Sequence, residues 1–227
     1  MLQLYVGNKN YSSWSMRPWV LMKQAGIEFE ERMVRFDSFE AGSEFKKTVL
    51  AVNPLGKVPI LVHDGLPVSD TLAICEYLAE TFLEKKLWPE DKTLRAAARS
   101  ACAEMHAGFS ALRSHCPMNI EADLSLQGRI VWRDQAGVRE DLARIVDLWR
   151  GLLKASGGPM LFGDFGIVDA YFAPVASRIR TYALPVPDDV AAYVDCLHEL
   201  PGIRAWTEAA RAEHDFVPMD EPYRDSR

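Results

Sequence analysis

Long apolar runs are missing from this chain of 227 residues. No stretch approaches the roughly 18 uninterrupted apolar residues that a membrane-crossing helix needs, so we predict no membrane-spanning segment. An excess of positive charge is missing as well, because 26 lysines and arginines face 32 acidic residues and leave a formal net charge of −6 at pH 7. This balance argues against a general nucleic-acid-binding surface, although a local basic patch is compatible with it.

Closely paired cysteines are also absent. The chain has 4 cysteines and no Cys-x-x-Cys pair, and residues 1–5 show no charged leader followed by a long apolar core. These absences favour a reduced, cytoplasmic setting, and we predict no metal site. What is present is an ordinary globular composition, with 48% hydrophobic and 26% charged residues, which allows one large domain or two small ones.

Strand and helix signals alternate in the first part of the chain. Their order is strand, helix, strand, short helix, two strands and helix, which describes a small α/β unit. The predicted strands cover 2–6, 31–36, 58–62 and 66–68, and the predicted helices cover 18–25, part of 38–47 and 70–83.

Helical periodicity alone continues from residue 93 onward. Prolines and glycines interrupt it near 116–117, 157–159, 185–187 and 201–202. One long helix should bury a stripe made of Val138, Leu142, Ile145, Trp149 and Leu152. We therefore predict a domain over 1–82, a linker over 83–92 and an all-helical domain over 93–227, with a polar tail over 214–227 that we expect to be loosely ordered.

A hydroxyl-rich turn separates the first strand from the first helix and reads Tyr-Ser-Ser-Trp-Ser-Met-Arg over residues 11–17. With Ser15 as the helix cap, Pro18 would fall in the first helical turn, where its missing N–H is harmless. Unpaired N–H groups and the positive end of the helix dipole point out of such a turn, so the Ser12 hydroxyl could help to hold a negative sulfur or oxygen. The alternative is that the serines only cap the helix.

An X-Pro bond stands at the entrance to the third strand, at Val58-Pro59. Proline cannot donate to a central ladder, and it usually marks an edge, a strand start or a cis turn. A cis bond here would turn the backbone N–H and C=O of Val58 outward, where they could pair with a peptide-like ligand. A trans proline at a strand start is the alternative.

An acidic residue and a hydroxyl residue, Asp70 and Thr71, stand where the next helix begins. Capping alone would explain both. At the mouth of a site, however, the Asp70 carboxylate could pair with a ligand's ammonium group, while the Thr71 hydroxyl and backbone N–H hold its carboxylate.

These three signals, in this order, resemble the glutathione-binding unit of the cytosolic glutathione transferases. The resemblance covers nearly the whole chain, from Leu2 to the helices that end near His214. It implies an α/β, thioredoxin-like N-terminal domain that binds glutathione as co-substrate and an all-α C-terminal domain that forms the pocket for a small electrophile. It also implies a homodimer.

Position by position, Ser12 matches the serine that stabilises the glutathione thiolate in the serine-type classes, with Arg17 in the family's usual place. In that role Ser12 donates to the sulfur and does not itself attack, so no histidine base is needed. The glutathione-binding residues that the resemblance implies are Ser13, Trp14, Lys57, Val58, Pro59, Asp70 and Thr71.

The turn around Ser12 is most similar to the Ser-Ser-Cys-Ser turn of the zeta class, whose best-known member isomerises maleylacetoacetate. Trp14 replaces the class's cysteine, and an indole near the sulfur would narrow the pocket or stack on the substrate. We therefore predict thiolate attack on a small electrophile. A zeta-type isomerase and a non-catalytic module that binds glutathione or a protein stay open, whereas a thiol reductase is disfavoured because the turn contains no cysteine.

The second-substrate pocket is predicted from the helical half. Met105, Phe109 and Arg113 are expected to share a face of the first long helix and to line this pocket, with a plain core stripe as the alternative. Arg180 falls near an arginine that zeta enzymes use for an anionic substrate. Residues 162–169 resemble the family's buried capping motif, with Gly166 at the cap and Asp169 three residues later, and we interpret this motif as structural.

Overall fold

A four-stranded mixed sheet forms near the N-terminus in the computed structural model, which describes residues 1–227. Its strands are β1 (Leu2–Val6), β2 (Glu30–Met33), β3 (Ile60–His63) and β4 (Leu66–Val68). The order is β2-β1-β3-β4, with β1 parallel to β2 and β3 antiparallel to both β1 and β4. Alternate residues of β1 are buried, as expected for a strand that turns one face to a core.

Ten α-helices complete the chain. Three belong to the sheet region, namely α1 (Ser13–Gln24), α2 (Glu44–Val52) and α3 (Thr71–Thr81). The others are α4 (Lys92–Ala107), α5 (Ser110–His115), α6 (Ser125–Asp134), α7 (Ala136–Ser156), α8 (Ile167–Thr181), α9 (Asp188–Glu199) and α10 (Pro201–Glu213). None of them combines the length and apolar character that a bilayer crossing requires. This architecture confirms the predicted fold class, an α/β unit followed by an all-helical unit.

The hydrophobic core is continuous between the sheet and the helices that follow it. Helix α1 packs against α3 in the N-terminal part and against α8 and α10 in the C-terminal part. The rings of Trp19 on α1 and Trp206 on α10 meet edge to face with centroids 5.3 Å apart. The boundary assigned to residues 83–92 stays a prediction, and the structure has a single 3-10 turn at Leu83–Lys85 between α3 and α4.

Helix α1 begins five residues earlier than predicted, at Ser13, so the expected cap at Ser15 and the placement of Pro18 in the first turn were wrong. Ser12 is the cap residue, and Pro18 lies in the second turn. A proline there leaves the carbonyl four residues earlier without its helical donor. That carbonyl, on Trp14, accepts instead from the Thr71 hydroxyl at 3.4 Å, which links α1 to α3.

Other element boundaries differ for local reasons. Helix α2 starts at Glu44 because the Ser43 hydroxyl accepts from the Lys46 N–H, which makes Ser43 the cap. Strand β3 begins after Pro59, because proline has no N–H to give to the ladder.

The tail over residues 214–227 is not loosely ordered, contrary to expectation. The Glu221 side chain is almost fully buried and accepts from the Tyr11 hydroxyl at 2.7 Å and from the Asn119 amide at 2.8 Å. Asp215 accepts from the Asn8 amide at 2.6 Å. The polar composition of the tail therefore serves buried hydrogen bonds, which its sequence alone could not indicate.

Candidate functional site

A cavity of about 520 Å³ lies at the N-terminus of α1, between the two halves of the chain. From the N-terminal half it is lined by Tyr11, Ser12, Ser13, Trp14, Phe36, Phe39, Phe45, Lys46, Gly56, Lys57 and Val58. From the C-terminal half it is lined by Arg113, Ser114, Pro117, Met118, Arg178 and Asp220. A larger cavity of about 710 Å³ between α7 and α9 contains none of the predicted site residues. The structure thus brings most of the predicted residues of the serine turn and the Val58 loop to one place.

The start of α1 presents hydrogen-bond donors to this cavity. Ser12 is buried, and its hydroxyl lies 2.7 Å from the Ser15 hydroxyl, which also accepts from the Gly7 N–H at 3.2 Å. The backbone N–H groups of Trp14 and Ser15 have no partner within the chain. Free N–H groups at the positive end of a twelve-residue helix favour a negative atom beside Ser12.

The loop before β3 offers backbone groups on the opposite wall. The Val58-Pro59 bond is cis, which is one of the two alternatives that the sequence left open. The N–H and C=O of Val58 have no partner within the chain. Lys57 is exposed at the rim, and the Lys46 ammonium donates to the Gly56 carbonyl at 2.7 Å. An extended peptide could therefore pair with Val58 as if it were one more strand.

Asp70 and Thr71 lie beside the cavity rather than in its wall. The Asp70 carboxylate caps α3 by accepting from the Leu72 N–H at 3.1 Å. Thr71 is buried with its hydroxyl directed at the Trp14 carbonyl, while its backbone N–H has no partner. Pro59 is buried and lies outside the cavity wall, next to Val58.

The charge around the cavity is predominantly positive, in contrast to the acidic chain as a whole. Lys46, Lys57, Arg113 and Arg178 line it, and Asp220 is the one carboxylate in its wall. Arg178 is buried, and although burial lowers its pKa to about 10, it remains a cation at neutral pH. Burial and the nearby charge of Glu221 raise the pKa of Asp220. Such a lining suits an anionic ligand.

Trp14 is held by two guanidinium groups. The Arg17 guanidinium lies 4.2 Å from the Trp14 ring centroid and the Arg113 guanidinium lies 5.3 Å from it. Arg17 is fully buried and donates to the Ser13 and Tyr171 carbonyls, each at 2.9 Å. Contacts with Arg17 and Arg113 therefore fix the position of the Trp14 ring between the serine turn and the helical half.

Three residues predicted for the second-substrate pocket are not in the cavity wall. Helix α4 ends at Ala107, and Phe109 lies between α4 and α5 in the left-handed region, at φ 56°. Met105 and Arg113 are therefore on different helices, and the three residues do not share one helix face. Met105 and Phe109 are buried in the core, which was the alternative, and only Arg113 reaches the cavity. Arg180 is exposed and pairs with Asp195 at 2.7 Å outside it.

Sequence reasoning missed several residues of the cavity wall. Arg178 lies on α8, two residues before Arg180, and no local pattern distinguishes a buried arginine from an exposed one. Asp220 reaches the site only because the tail folds back onto the serine turn. Both depend on tertiary contacts.

The capping motif at the start of α8 is structural, as interpreted. The Asp169 carboxylate accepts from the N–H groups of Gly166 and Leu161 at 3.0 and 3.1 Å and from the Tyr193 hydroxyl at 2.9 Å. Burial raises the pKa of Asp169 to about 6. The motif ties α8 to α9 away from the wall of the cavity.

Comparisons with known proteins agree with this architecture. Models of the glutathione S-transferase N-terminal and C-terminal domains match residues 11–81 and 121–209. Glutathione S-transferase 1 of Dianthus caryophyllus is 30% identical over 175 residues, covering 76% of this chain and 75% of that protein. Maleylacetoacetate isomerase of Mus musculus is 31% identical over 188 residues, covering 81% of this chain and 82% of that protein.

Solved structures share the fold over almost the full length. A glutathione transferase homolog from Burkholderia, with bound glutathione, aligns with a TM-score of 0.68 and 26% identity, covering 93% of this chain and 98% of that one. A Tau class glutathione S-transferase from mango, Mangifera indica, aligns with a TM-score of 0.71 and 20% identity, covering 93% and 96%. With both domain models matched in order and two curated relatives at 30% identity or more, the chain belongs to the glutathione S-transferase family.

Proposed function

We propose that this protein is a glutathione transferase in which the Ser12 hydroxyl stabilises the thiolate of bound glutathione for attack on a small electrophile. The observation that carries the proposal is the position of Ser12. Its hydroxyl lies at the cap of α1 and in the wall of a cationic cavity, next to two free N–H groups. A hydroxyl donor and a helix N-terminus are the two features that a thiolate needs.

The energies are sufficient for this role. A free thiol has a pKa of about 8.5, so a mostly ionised thiol at neutral pH requires a shift of roughly two units, or about 2 to 3 kcal/mol. One hydrogen bond to a charged atom contributes about 1.5 to 3 kcal/mol, and a helix N-terminus adds about 0.3 to 1. Ser12 and α1 therefore supply the shift without a histidine or a metal.

Ser15 supports Ser12 in this mechanism. When the Ser12 hydroxyl donates to a sulfur, its oxygen is free to accept from the Ser15 hydroxyl, since the two oxygens lie 2.7 Å apart. The Gly7 N–H donates in turn to Ser15. A chain of donors that ends on the thiolate polarises each successive bond and strengthens the last one.

The rest of the peptide is held by groups on both walls. Val58 pairs with the cysteinyl backbone, Lys57 attracts the glycyl carboxylate, and Asp70 binds the γ-glutamyl ammonium group. Thr71 holds the γ-glutamyl carboxylate through its N–H, with Ser13 and Trp14 completing the binding surface. The free backbone groups of Val58 and Thr71 and the exposed Lys57 side chain support these assignments.

A zeta-type cis-trans isomerase is the second candidate, and a relative supports it. The mouse protein that is 31% identical over 188 residues is named as a maleylacetoacetate isomerase. Two arginines, Arg113 and Arg178, line the cavity beyond the serine turn and could hold an anionic substrate. Trp14 differs from the zeta-class pattern, because its large ring replaces the smaller cysteine side chain of that class and leaves less space in the pocket.

One experiment tests the proposal against these alternatives and against a non-catalytic binding module. Glutathione affinity is measured by calorimetry, beside the rates of conjugation to a chloronitroarene, peroxide reduction and cis-trans isomerisation. Ser12→Ala should lower kcat for conjugation by about ten- to a hundredfold, as expected for one lost charge-assisted hydrogen bond, and weaken glutathione binding far less. Ser114→Ala, which removes a hydroxyl from the helical wall of the same cavity, is the matched control.

Equal conjugation rates in the parent and in Ser12→Ala would reject the serine mechanism. Tight glutathione binding with no turnover of any electrophile would favour the binding module, and isomerisation without conjugation would favour the zeta-type reaction. We also propose a cytoplasmic homodimer, as the family resemblance implies, and sedimentation of the purified chain measures its subunit number directly.

A further inference from the structure

A histidine from the helical half reaches across to the N-terminal half beside the cavity. His106 lies in the last turn of α4, with its Nε2 atom 3.4 Å from a carboxylate oxygen of Asp70. Its Nδ1 atom lies 3.0 Å from the hydroxyl of Tyr171 on α8. Three side chains from three helices therefore form a row that ends on the carboxylate at the start of α3.

The partners of His106 determine which of its nitrogens carries the proton. The negative charge of the Asp70 carboxylate favours the tautomer with the proton on Nε2, the nitrogen that faces it at 3.4 Å. In that neutral tautomer Nδ1 is the acceptor, and it can accept from the Tyr171 hydroxyl, which lies 3.0 Å away. Burial raises the pKa of Tyr171 well above its usual value, so its hydroxyl keeps the proton that it donates.

Packing fixes the imidazole as well as its tautomer. The His106 ring lies 5.1 Å from the Trp14 ring and is stacked on the Tyr171 ring with centroids 6.4 Å apart. Arg17 donates to the Tyr171 carbonyl, which ties Tyr171 to the serine turn. The histidine therefore has little freedom to leave Asp70.

Both oxygens of the Asp70 carboxylate are consequently oriented. Oδ1 accepts from the Leu72 N–H, and Oδ2 faces the Nε2 atom of His106. Without the histidine, this half-exposed side chain would keep only its cap hydrogen bond and could rotate about it. Each carboxylate oxygen has a second acceptor position, so an incoming cation can still bind.

We propose that His106 is a positioning residue, which orients the Asp70 carboxylate toward the ammonium group of bound glutathione while Tyr171 holds the imidazole in the tautomer that this requires. The proposal rests on the proposed function, in which Asp70 binds that ammonium group. It gives the helical half a share in recognising the γ-glutamyl end of the peptide.

The test compares two ligands on the full-length protein by calorimetry. Glutathione carries the ammonium group, and its des-amino analogue lacks only that group. His106→Phe should raise the Kd for glutathione roughly two- to fivefold, as expected for the loss of one polar contact between partly exposed groups, and leave the Kd for the analogue unchanged. A residue that only supports the fold would weaken both ligands alike.

Two further variants separate the contact between His106 and Asp70 from the contact between Tyr171 and His106. His106→Gln keeps an N–H donor near the position of Nε2 and should retain most of the glutathione affinity. Tyr171→Phe removes the hydroxyl that selects the tautomer and should give an intermediate Kd. His63→Phe is the matched control, because His63 is also hydrogen-bonded to a tyrosine, Tyr77, at 2.8 Å but does not contact Asp70.

Equal losses for glutathione and its analogue, or tighter glutathione binding in His106→Phe, would overturn the proposal. A parallel Asp70→Asn variant distinguishes the two levels of inference. If Asp70→Asn weakens glutathione binding selectively and His106→Phe does not, the positioning role fails alone. If Asp70→Asn binds both ligands as the parent does, the assignment of the ammonium site to Asp70 fails, and the role of His106 fails with it.

Discussion

At Arg17, a guanidinium lies in the protein interior without a carboxylate beside it. It donates to the carbonyls of Ser13 and Tyr171 and lies over the Trp14 ring. Burial lowers its pKa to about 9, so it carries its charge at neutral pH. The planar guanidinium group has several N–H donors and can bind both carbonyls while it stacks on the indole, whereas the single ammonium group of a lysine could not.

We expect Arg17→Lys to lower the free energy of unfolding by about 2 kcal/mol, because one ammonium group cannot replace both carbonyl contacts and the stacking on Trp14. Urea unfolding at neutral pH measures the change. Arg180→Lys is the control, since Arg180 forms an exposed pair with Asp195 and should change stability by less than about 0.5 kcal/mol. Equal effects of the two variants would contradict the role of Arg17.

Residues were predictable from the sequence where their signal was local. The cap at Asp70 and the proline at the entrance to β3 could be read from the sequence, because caps and X-Pro bonds depend on neighbouring residues only, whereas the binding roles of Ser12, Val58 and Asp70 stay predictions. Arg178 and Asp220 could not, because their places in the cavity result from contacts between segments distant in the chain. Arg180, two residues from Arg178, lies outside the cavity wall, and helix position alone does not determine which of the two arginines is buried.

Among the elements, helices with strong periodicity were predicted well and helix ends less well. The stripe on α7 was confirmed at Val138, Leu142, Ile145 and Trp149, which are buried, whereas Leu152 is only partly buried. The end of α4 was missed because Gly108 was given no weight as a stop signal. That error placed Phe109 on the wrong element.

Helix α6 depends on a close approach that only glycine permits. A β-carbon on Gly128 would overlap the carbonyl oxygen of Tyr182, at the end of α8. We expect Gly128→Ala to destabilise the protein by about 1 to 3 kcal/mol, because backbone must move to relieve the overlap. Thermal and urea unfolding measure this cost.

Gly151 in α7 is the matched control, because a β-carbon there meets nothing within 4 Å. Gly151→Ala should stabilise the protein by up to about 1 kcal/mol, through the higher helix propensity of alanine. A destabilisation by Gly151→Ala as large as that by Gly128→Ala would show that general helix effects, and not the contact with Tyr182, are responsible.

For the molecule as a whole, the C-terminal tail joins the two ends of the chain. The Asn8 side-chain amide donates to the Asp215 carboxylate at 2.6 Å, and the Tyr11 hydroxyl donates to Glu221. The loop that these contacts hold leads directly into Ser12. The two units were predicted from the sequence, but the contacts between the tail and residues 8–11 were not. In a sequence, the polar residues that form buried pairs cannot be distinguished from polar residues that face solvent.

Glu221→Ala should lower the free energy of unfolding by about 2 kcal/mol, since it leaves the Tyr11 hydroxyl and the Asn119 amide without their acceptor. Limited proteolysis should then cut the tail faster than in the parent. Glu199→Ala, at an exposed pair with Arg204, should change neither property appreciably. A tail that is cut equally fast in both variants would contradict the anchoring role of Glu221.

The proposed role of Ser12 is to keep the thiol of bound glutathione ionised. Its most direct test is the pKa of the bound thiol, followed through the ultraviolet absorbance of the thiolate as pH is varied, in the parent, in Ser12→Ala and in the control Ser114→Ala. We predict a pKa of about 6.5 for the bound thiol in the parent and the control, and a value at least one unit higher in Ser12→Ala. The same thiol pKa in the parent and in Ser12→Ala would contradict it.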